Sequence, residues 1–188
     1  MTKIGIQGDL GSFSEEAAND FVKRHDLADV KLEYLISSKR VLEAVEDRSV
    51  DYGIFAIENS QGGVVIESIE ALAAHRCDIV EMFHILIHQN LLALPGMTVG
   101  EIKSIHSHQQ ALRQCREYLE EKFKDTPQLE EADTAESARL LHTGKLPKTS
   151  AVIANKNCAK LYELDILEPQ IEDMKNNITL FIAIKVLS

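Results

Sequence analysis

The stretch with most chemical promise lies late in the chain, Asp173-Met174-Lys175-Asn176-Asn177-Ile178-Thr179-Leu180-Phe181. It is polar and turn-forming up to Asn177, then enters the apolar run Leu180-Phe181-Ile182-Ala183-Ile184. The Thr179 hydroxyl therefore falls where an irregular segment joins a buried strand. Such a place suits a catalytic side chain, because the strand fixes its position while the loop side stays open. The plainer reading is a β-branched residue suited to a strand. A second polar stretch, Glu58-Asn59-Ser60-Gln61-Gly62-Gly63, follows the apolar run Tyr52 to Ile57. A glycine-containing turn at the carboxyl end of a parallel strand is a common ligand position in α/β proteins. A helix starting behind it offers free N–H groups and a positive dipole end to a carboxylate or phosphate. The histidines His84 and His88, and His106 and His108, are spaced for metal binding. With no third ligand evident and no HExxH, neither a metal nor a cofactor is expected. Cys77, Cys115 and Cys158 are odd in number and widely spaced, so free thiols are expected, with Cys115 in core packing.

The elements that must hold these residues alternate. Lys3 to Gly8 reads as a first strand ending in a glycine turn. Ser12-Phe13-Ser14-Glu15 matches a capping box that opens an amphipathic helix to about His25. Lys31–Ile36 is a second strand, Ser38–Asp47 a second helix, and Tyr52–Ile57 a strand buried on both faces. This β-α-β-α-β order implies a parallel sheet with right-handed crossovers. A helix over Ile66–Ala74 follows, then extended segments at Asp78–Glu81 and Phe83–Leu94. A second α/β set begins with strand Ile102–His106 and a long helix from His108 to about Lys122 capped by Ser107. A short strand near Leu129–Glu131, a helix Ala135–His142 capped by Thr134, a strand Ser150–Ala154 and a helix Asn157–Tyr162 complete it. Helix starts at Ser12, Gly63, Ser107 and Thr134 all follow strand ends. If the two lobes face each other, these starts make a cleft rich in backbone donors, suited to an acidic small molecule.

Composition sets the class. With 45% apolar and 27% charged residues in 188, the chain reads as an ordinary globular protein. A net charge of -10 argues against a nucleic-acid partner, since no surplus of Lys and Arg exists to displace counterions. The apolar run Ile85 to Leu94 is broken by His88, Gln89 and Asn90 and is too short to span a bilayer, so no membrane partner is expected. Met1-Thr2-Lys3 leads directly into the first strand, so the absence of a signal peptide and a cytoplasmic location are expected. The acidic runs at Glu117–Glu121 and Glu130-Glu131 read as solvated faces.

Taken together, five motifs in order resemble the catalytic domain of prephenate dehydratase along nearly the whole chain. Gly8-Asp9-Leu10-Gly11-Ser12-Phe13-Ser14 is similar to its GPxGSFS opening, and Ile57 to Gly63 to its IENSxxG turn. Ser107-His108-Gln109-Gln110-Ala111-Leu112 is similar to its SHPQAL helix start, and Thr134 to Ala138 to its TAxAA segment. Ile171-Glu172-Asp173 with Asn177 to Phe181 is similar to its IxD…NxTRF signature. The resemblance implies two α/β lobes with a cleft between them, like type II periplasmic binding proteins. The expected division is residues 1–80 plus 170–188 for one lobe and 81–169 for the other. It implies decarboxylative dehydration of prephenate to phenylpyruvate in phenylalanine biosynthesis, with no C-terminal regulatory ACT domain in this chain. The partner implied is a small dicarboxylate, and the resemblance leaves room for a homodimer.

By the same resemblance, Thr179 hydrogen-bonds the leaving hydroxyl, while Asn59, Ser60 and Gly63 bind substrate on one lobe and Ser107 and Gln110 on the other. Asn177 joins the substrate-binding set, and Phe181 and Phe13 wall the site. The ring itself accepts the electrons, so no organic electron sink is required. The sequence departs from the pattern in places. Leu180 stands where the family has Arg, and loss of an arginine–carboxylate fork costs about 2–5 kcal/mol of binding in a closed site. Asp9 replaces a proline, Val64 a serine after Gly63, and Gln109 a proline. Lys39, Arg40 and Arg113 are candidates to supply the missing charge. An extra carboxylate favours arogenate, which carries an amino group; a prephenate decarboxylase and an inactive ligand-binding sensor are the other readings.

Overall fold

The computed structural model describes residues 1–187. The chain forms two compact units, residues 1–86 with the carboxy-terminal segment from Asn177, and residues 87–176.

The first unit is built on strands β1 (Thr2–Ile6), β2 (Val30–Tyr34) and β3 (Tyr52–Asn59), with helices α1 (Phe13–Arg24) and α2 (Ser38–Glu46) between them. A two-residue strand β4 (Gly63–Val64), helix α3 (Ile66–Ala74) and the long strand β5 (Cys77–Leu86) follow. The second unit opens with β6 (Asn90–Ala93), a 3-10 turn at Val99–Glu101 and β7 (Ser104–Ser107). It continues through α4 (Gln109–Gln114), α5 (Arg116–Lys122), β8 (Gln128–Glu130) and α6 (Thr134–His142). Strand β9 (Ser150–Ala154), helix α7 (Lys156–Leu161) and strand β10 (Asp165–Glu168) complete it. The final strand, β11 (Ile178–Val186), belongs to the first unit again.

The first sheet runs β2-β1-β3-β11-β5, with β4 paired to β3. Its β1 is parallel to β2 and β3, whereas β11 is antiparallel to both β3 and β5. The second sheet runs β8-β7-β9-β6-β10, with β7 parallel to β8 and β9 and β6 antiparallel to β9 and β10. The two orders are the same. In each, the fourth strand is inserted against the direction of its neighbours by chain arriving from the other unit. This is the two-lobed α/β arrangement expected from the sequence.

The unit boundaries differ from the expected 80/81 and 169/170. Strand β5 continues to Leu86 because β11 pairs along it from Ile178↔Leu86 to Val186↔Cys77. Segment 165–168 forms β10 on the edge of the second sheet.

Each sheet is covered on both faces. Between the first sheet and α2 and α3 lie Val41, Leu42, Val45, Phe55, Ile182 and Ile184, all buried. Gly53 permits the close approach of α2: a Cβ there would lie 2.6 Å from Val41 Cγ1 and 2.9 Å from Val45 Cγ2. On the other face, α1 buries Ala17, Ala18 and Phe21. Its Phe21 ring stacks at 6.2 Å on Phe83, which stacks at 6.1 Å on Phe181. In the second unit, Ile105, Leu119, Ile153 and Leu91 form one core layer, and Val152, Ala138, Leu141 and Leu92 form the other.

Helix α3 has the expected span Ile66–Ala74, whereas the helix start placed at Gly63 is part of a hairpin that residues 59–63 close onto β4. Three other helix starts depart from expectation. His108, not Ser107, caps α4, and Asp133, not Thr134, caps α6. The expected helix from His108 to Lys122 is two helices, interrupted at Cys115. The cause lies far along the chain: Asp173 accepts the Glu117 N–H at 3.1 Å and the Tyr118 N–H at 3.4 Å, capping a fresh start.

Candidate active site

The polar cluster of the first unit stands where β3 ends and β11 begins. In the ladder between them Thr179 is directly opposite Asn59. Asn59 is also the last residue of β3 before the hairpin, paired to Gly63 on β4. Gly63 has φ +76, a left-handed conformation that closes the turn and that glycine adopts without strain.

The Asn59 side chain organises this junction. Its Oδ1 accepts from the Gln61 N–H at 3.0 Å and the Gly62 N–H at 2.8 Å. Its Nδ2 donates to Asn177 Oδ1 at 2.9 Å, to Thr179 Oγ1 at 2.9 Å and to the Ile178 carbonyl at 3.1 Å. Ser60 adds two ties: its Oγ accepts from the Ile178 N–H at 3.0 Å and donates to Asn177 Oδ1 at 3.3 Å. Burial is graded across the group. Asn177 is 0% and Thr179 8% exposed, Asn59 is half-buried, and Ser60 is at the surface. Thr179 is thus buried at the rim of the sheet within reach of the turn, rather than deep in apolar packing. The Asn177 Nδ2 is buried with no partner among the described residues.

Asn59, Ser60, Asn177 and Thr179, expected from sequence to act together, are therefore brought together within one unit. Gly63 shapes the turn. Phe181, two residues beyond Thr179 on the same face, is 1% exposed and stacked on Phe83, so it supports the strand from within the core.

The expectation of many free backbone donors needs correction. The turn N–H groups of Gln61 and Gly62 are taken by Asn59. The start of α1 is occupied by its own acid: Ser12 Oγ accepts from the Glu15 N–H at 3.3 Å, and the Glu15 carboxylate accepts from the Gly11 N–H at 2.5 Å. A local carboxylate holds the helix start that a dianion would otherwise use. Tyr34, at the end of β2, reports the same charge: burial, with Glu15 and Asp9 adding to it, pushes its phenol up to about 12.

Leu180 is the position where the resemblance places an arginine in the family. Leu180 is half-buried, packs against the α2 and α3 core, and pairs across the sheet with Glu58 and His84. Neighbours along a strand point to opposite faces. Residue 180 therefore faces away from Thr179. Of the candidate cations, Lys39 lies 3.8 Å from Glu43, and Lys39, Arg40 and Arg113 are all exposed.

In the second unit, Ser107 is 0% exposed and its Oγ donates to the Ile153 carbonyl at 2.6 Å, inside the sheet. Gln110 is half-buried, and its N–H donates to His108 Nδ1 at 3.2 Å, closing the α4 cap. Sequence reasoning missed a buried group here. Glu172 is 1% exposed; its carboxylate takes His88 Nδ1 and the Gln89 N–H, each at 2.9 Å. Gln89 in turn donates to Gln114 at 3.1 Å. The available signal was the polar run His88-Gln89-Asn90 interrupting an apolar stretch, which charge and hydropathy alone read as a break. His106, the other metal candidate, is held by Glu131 at 2.9 Å and Ser104 at 3.1 Å. Among the described residues, no three His, Cys, Asp or Glu side chains converge as a metal site. Among them, too, no helix is long and apolar enough to cross a membrane.

Comparison with known proteins follows the same line. The family model for prephenate dehydratase matches residues 4–187. An Arabidopsis thaliana protein, arogenate dehydratase/prephenate dehydratase 1, is 32% identical over 97% of this chain and 44% of its own length. Prephenate dehydratase of Methanocaldococcus jannaschii is 35% identical over 93% of this chain and 61% of its own. The chain spans about half the length of the curated relatives it matches. The crystal structure of prephenate dehydratase from Arthrobacter aurescens in complex with L-Phe superposes with a TM-score of 0.89 at 26% identity, covering 100% of this chain and 61% of that one. The motifs, the paired five-strand orders and these matches agree, and the chain belongs to the prephenate dehydratase family.

Proposed function

We propose that this chain carries out the decarboxylative dehydration of prephenate to phenylpyruvate, with Thr179 at the leaving hydroxyl. The observation that carries this reading is the Thr179 side chain: 8% exposed, fixed at 2.9 Å from Asn59 Nδ2, and at the rim where the ENS turn meets β11. In the reaction the bond from the ring to its carboxylate breaks and releases carbon dioxide. The electron pair enters the ring, the carbon–oxygen bond opposite breaks, and hydroxide leaves as water once it gains a proton. A threonine hydroxyl is a weak acid, so its contribution is a hydrogen bond that grows stronger as charge builds on the departing oxygen, with solvent supplying the proton. Burial of the hydroxyl makes that bond worth more than it is in bulk solution.

Thr179→Val tests this reading. Valine keeps the shape and removes only the hydroxyl, and Asn59 Nδ2 retains Asn177 and Ile178 as acceptors. Turnover of prephenate, followed as phenylpyruvate formed, falls about 10²–10³-fold, the usual effect of removing one such donor. A Thr179→Val protein that keeps wild-type kcat sinks the proposal.

One observation favours arogenate as an alternative substrate. Asp9 and Glu15 both bear on Tyr34 at the edge where β1 and β2 end, a negative setting that suits an ammonium-bearing acid. The same assay with both acids ranks them by kcat/KM.

A further inference from the structure

The side-chain amide of Asn59 can face only one way. Its Oδ1 takes two turn N–H groups, at 3.0 and 2.8 Å, so Nδ2 must lie toward Asn177, Ile178 and Thr179. An amide nitrogen has hydrogens to give and no lone pair to receive. Thr179 Oγ1 is therefore obliged to accept from Asn59, and its single hydrogen is turned elsewhere. Among the described residues none accepts that hydrogen. We infer that Asn59 is a positioning residue, which fixes the direction of the Thr179 hydroxyl hydrogen rather than binding substrate itself. This rests on the dehydratase reading above, in which that hydrogen meets the leaving oxygen.

Asn177 completes the device. It is 0% exposed, and its Oδ1 receives both the Asn59 amide and the Ser60 hydroxyl, at 2.9 and 3.3 Å. Turned over, it would set its own Nδ2 against the Asn59 Nδ2, donor against donor. The fold keeps the other orientation although this leaves Asn177 Nδ2 buried and without a partner among the described residues. The donors thus run in one sense: Ser60 and Asn59 toward Asn177, Asn59 toward Thr179, and Thr179 outward. The simpler role for the same contacts is to hold the hairpin against β11. That role requires contacts, and is indifferent to which atom carries the hydrogen.

Asn59→Asp separates the two roles. The introduced carboxylate retains Oδ1 for the Gln61 and Gly62 N–H groups, and Asn177 can turn its unpartnered amide toward the new oxygen. At neutral pH, however, the Thr179 hydroxyl must now donate to that carboxylate and loses its outward direction. The expected result with prephenate is a kcat at least 100-fold below wild type at pH 7, with KM within about threefold and the protein still folded, its melt lowered because the Ile178 carbonyl loses the Asn59 donor. As pH falls toward the carboxylate pKa, the new side chain gains a proton and becomes a donor in the place of the amide. The variant's kcat then rises about tenfold per pH unit, a limb that wild type lacks. A variant kcat within fivefold of wild type, or a loss that does not recover in acid while the protein stays folded, overturns the inference. A second measurement does not depend on turnover. In ¹⁵N-labelled wild type the Asn59 side-chain amide hydrogens exchange slowly with solvent, and rapid exchange also overturns it. Slow exchange with no turnover of prephenate by wild type rejects the dehydratase reading and leaves the hydrogen geometry standing.

Discussion

Replacing Leu180 by arginine introduces the residue that the resemblance expects in the late signature, and sequence logic and strand geometry disagree about the result. If an arginine at 180 reached a substrate carboxylate, it would add about 2–5 kcal/mol. At about 1.4 kcal/mol per factor of ten, that is roughly a thirty- to several-thousand-fold gain in kcat/KM. The structure points the other way. Leu180 packs with Phe55, Ile57, Ile182 and Ala71 on the α2 and α3 side, while Thr179 shares its face with Phe181 beneath α1. The two side chains leave the strand in opposite directions. An arginine at 180 meets Glu58, its cross-strand partner. Losing half the burial of a leucine costs about 1 kcal/mol, and a cross-strand ion pair returns about 0.2–1 kcal/mol. Leu180→Arg is therefore expected to melt within a few degrees of wild type and to change kcat/KM for prephenate by less than about threefold, judged against the roughly 2–5 kcal/mol that a direct contact would give. Steady-state phenylpyruvate formation and a thermal melt on the same preparation measure both. A tenfold or greater rise in kcat/KM refutes the placement of residue 180 away from the chemistry.

Two further outcomes follow from the geometry. Asp173→Ala removes the cap on Glu117 and Tyr118 where α5 restarts, which costs about 1–2 kcal/mol. At about 2–4 °C per kcal/mol for a chain of this size the melting temperature drops by several degrees, and Asp173→Asn restores most of it; an unchanged melt for the alanine variant contradicts the capping role. Tyr34 is held neutral by burial and by the Glu15 carboxylate, so its phenol titrates at about 12 in the folded protein. Because the folded value lies above the unfolded one, this contribution to stability is complete below about pH 10 and is lost as pH rises through about 12. A tyrosinate absorbance titration that loses its step near 12 in Tyr34→Phe agrees with this placement, and a step for Tyr34 at the ordinary value of about 10 does not.

Local patterns made much of this protein legible. The N-cap at Ser12 appeared where Ser12-x-x-Glu15 called for it, although Glu15 reaches back to the Gly11 N–H rather than to that of Ser12, so the reciprocal half of the capping box does not form. The apolar run Tyr52–Ile57 became a central strand of the first sheet. The grouping of Asn59 and Ser60 with Asn177 and Thr179 was available from motifs, though a sequence separation of 118 between Asn59 and Asn177 shows no such proximity in itself. Local pattern failed where a distant residue intervened. The run from His108 to Lys122 has helical periodicity throughout, and nothing within it announces a break at Cys115. The break follows from Asp173, whose carboxylate satisfies N–H groups that an uninterrupted helix would have used internally.

The amino-acid order alone settled which residues are candidates and where most of the strands and helices run, because capping, periodicity and turn chemistry act over a few positions. It could not settle direction. Whether residue 180 faces Thr179 or the opposite core, whether turn amides are open or already taken, and which atom of Asn59 faces the threonine all depend on how strands from far apart in the chain lie side by side. Pairing of β11 with β3 and β5 sets those facts, since a strand shows alternate side chains to alternate faces and an amide has one donating and one accepting end.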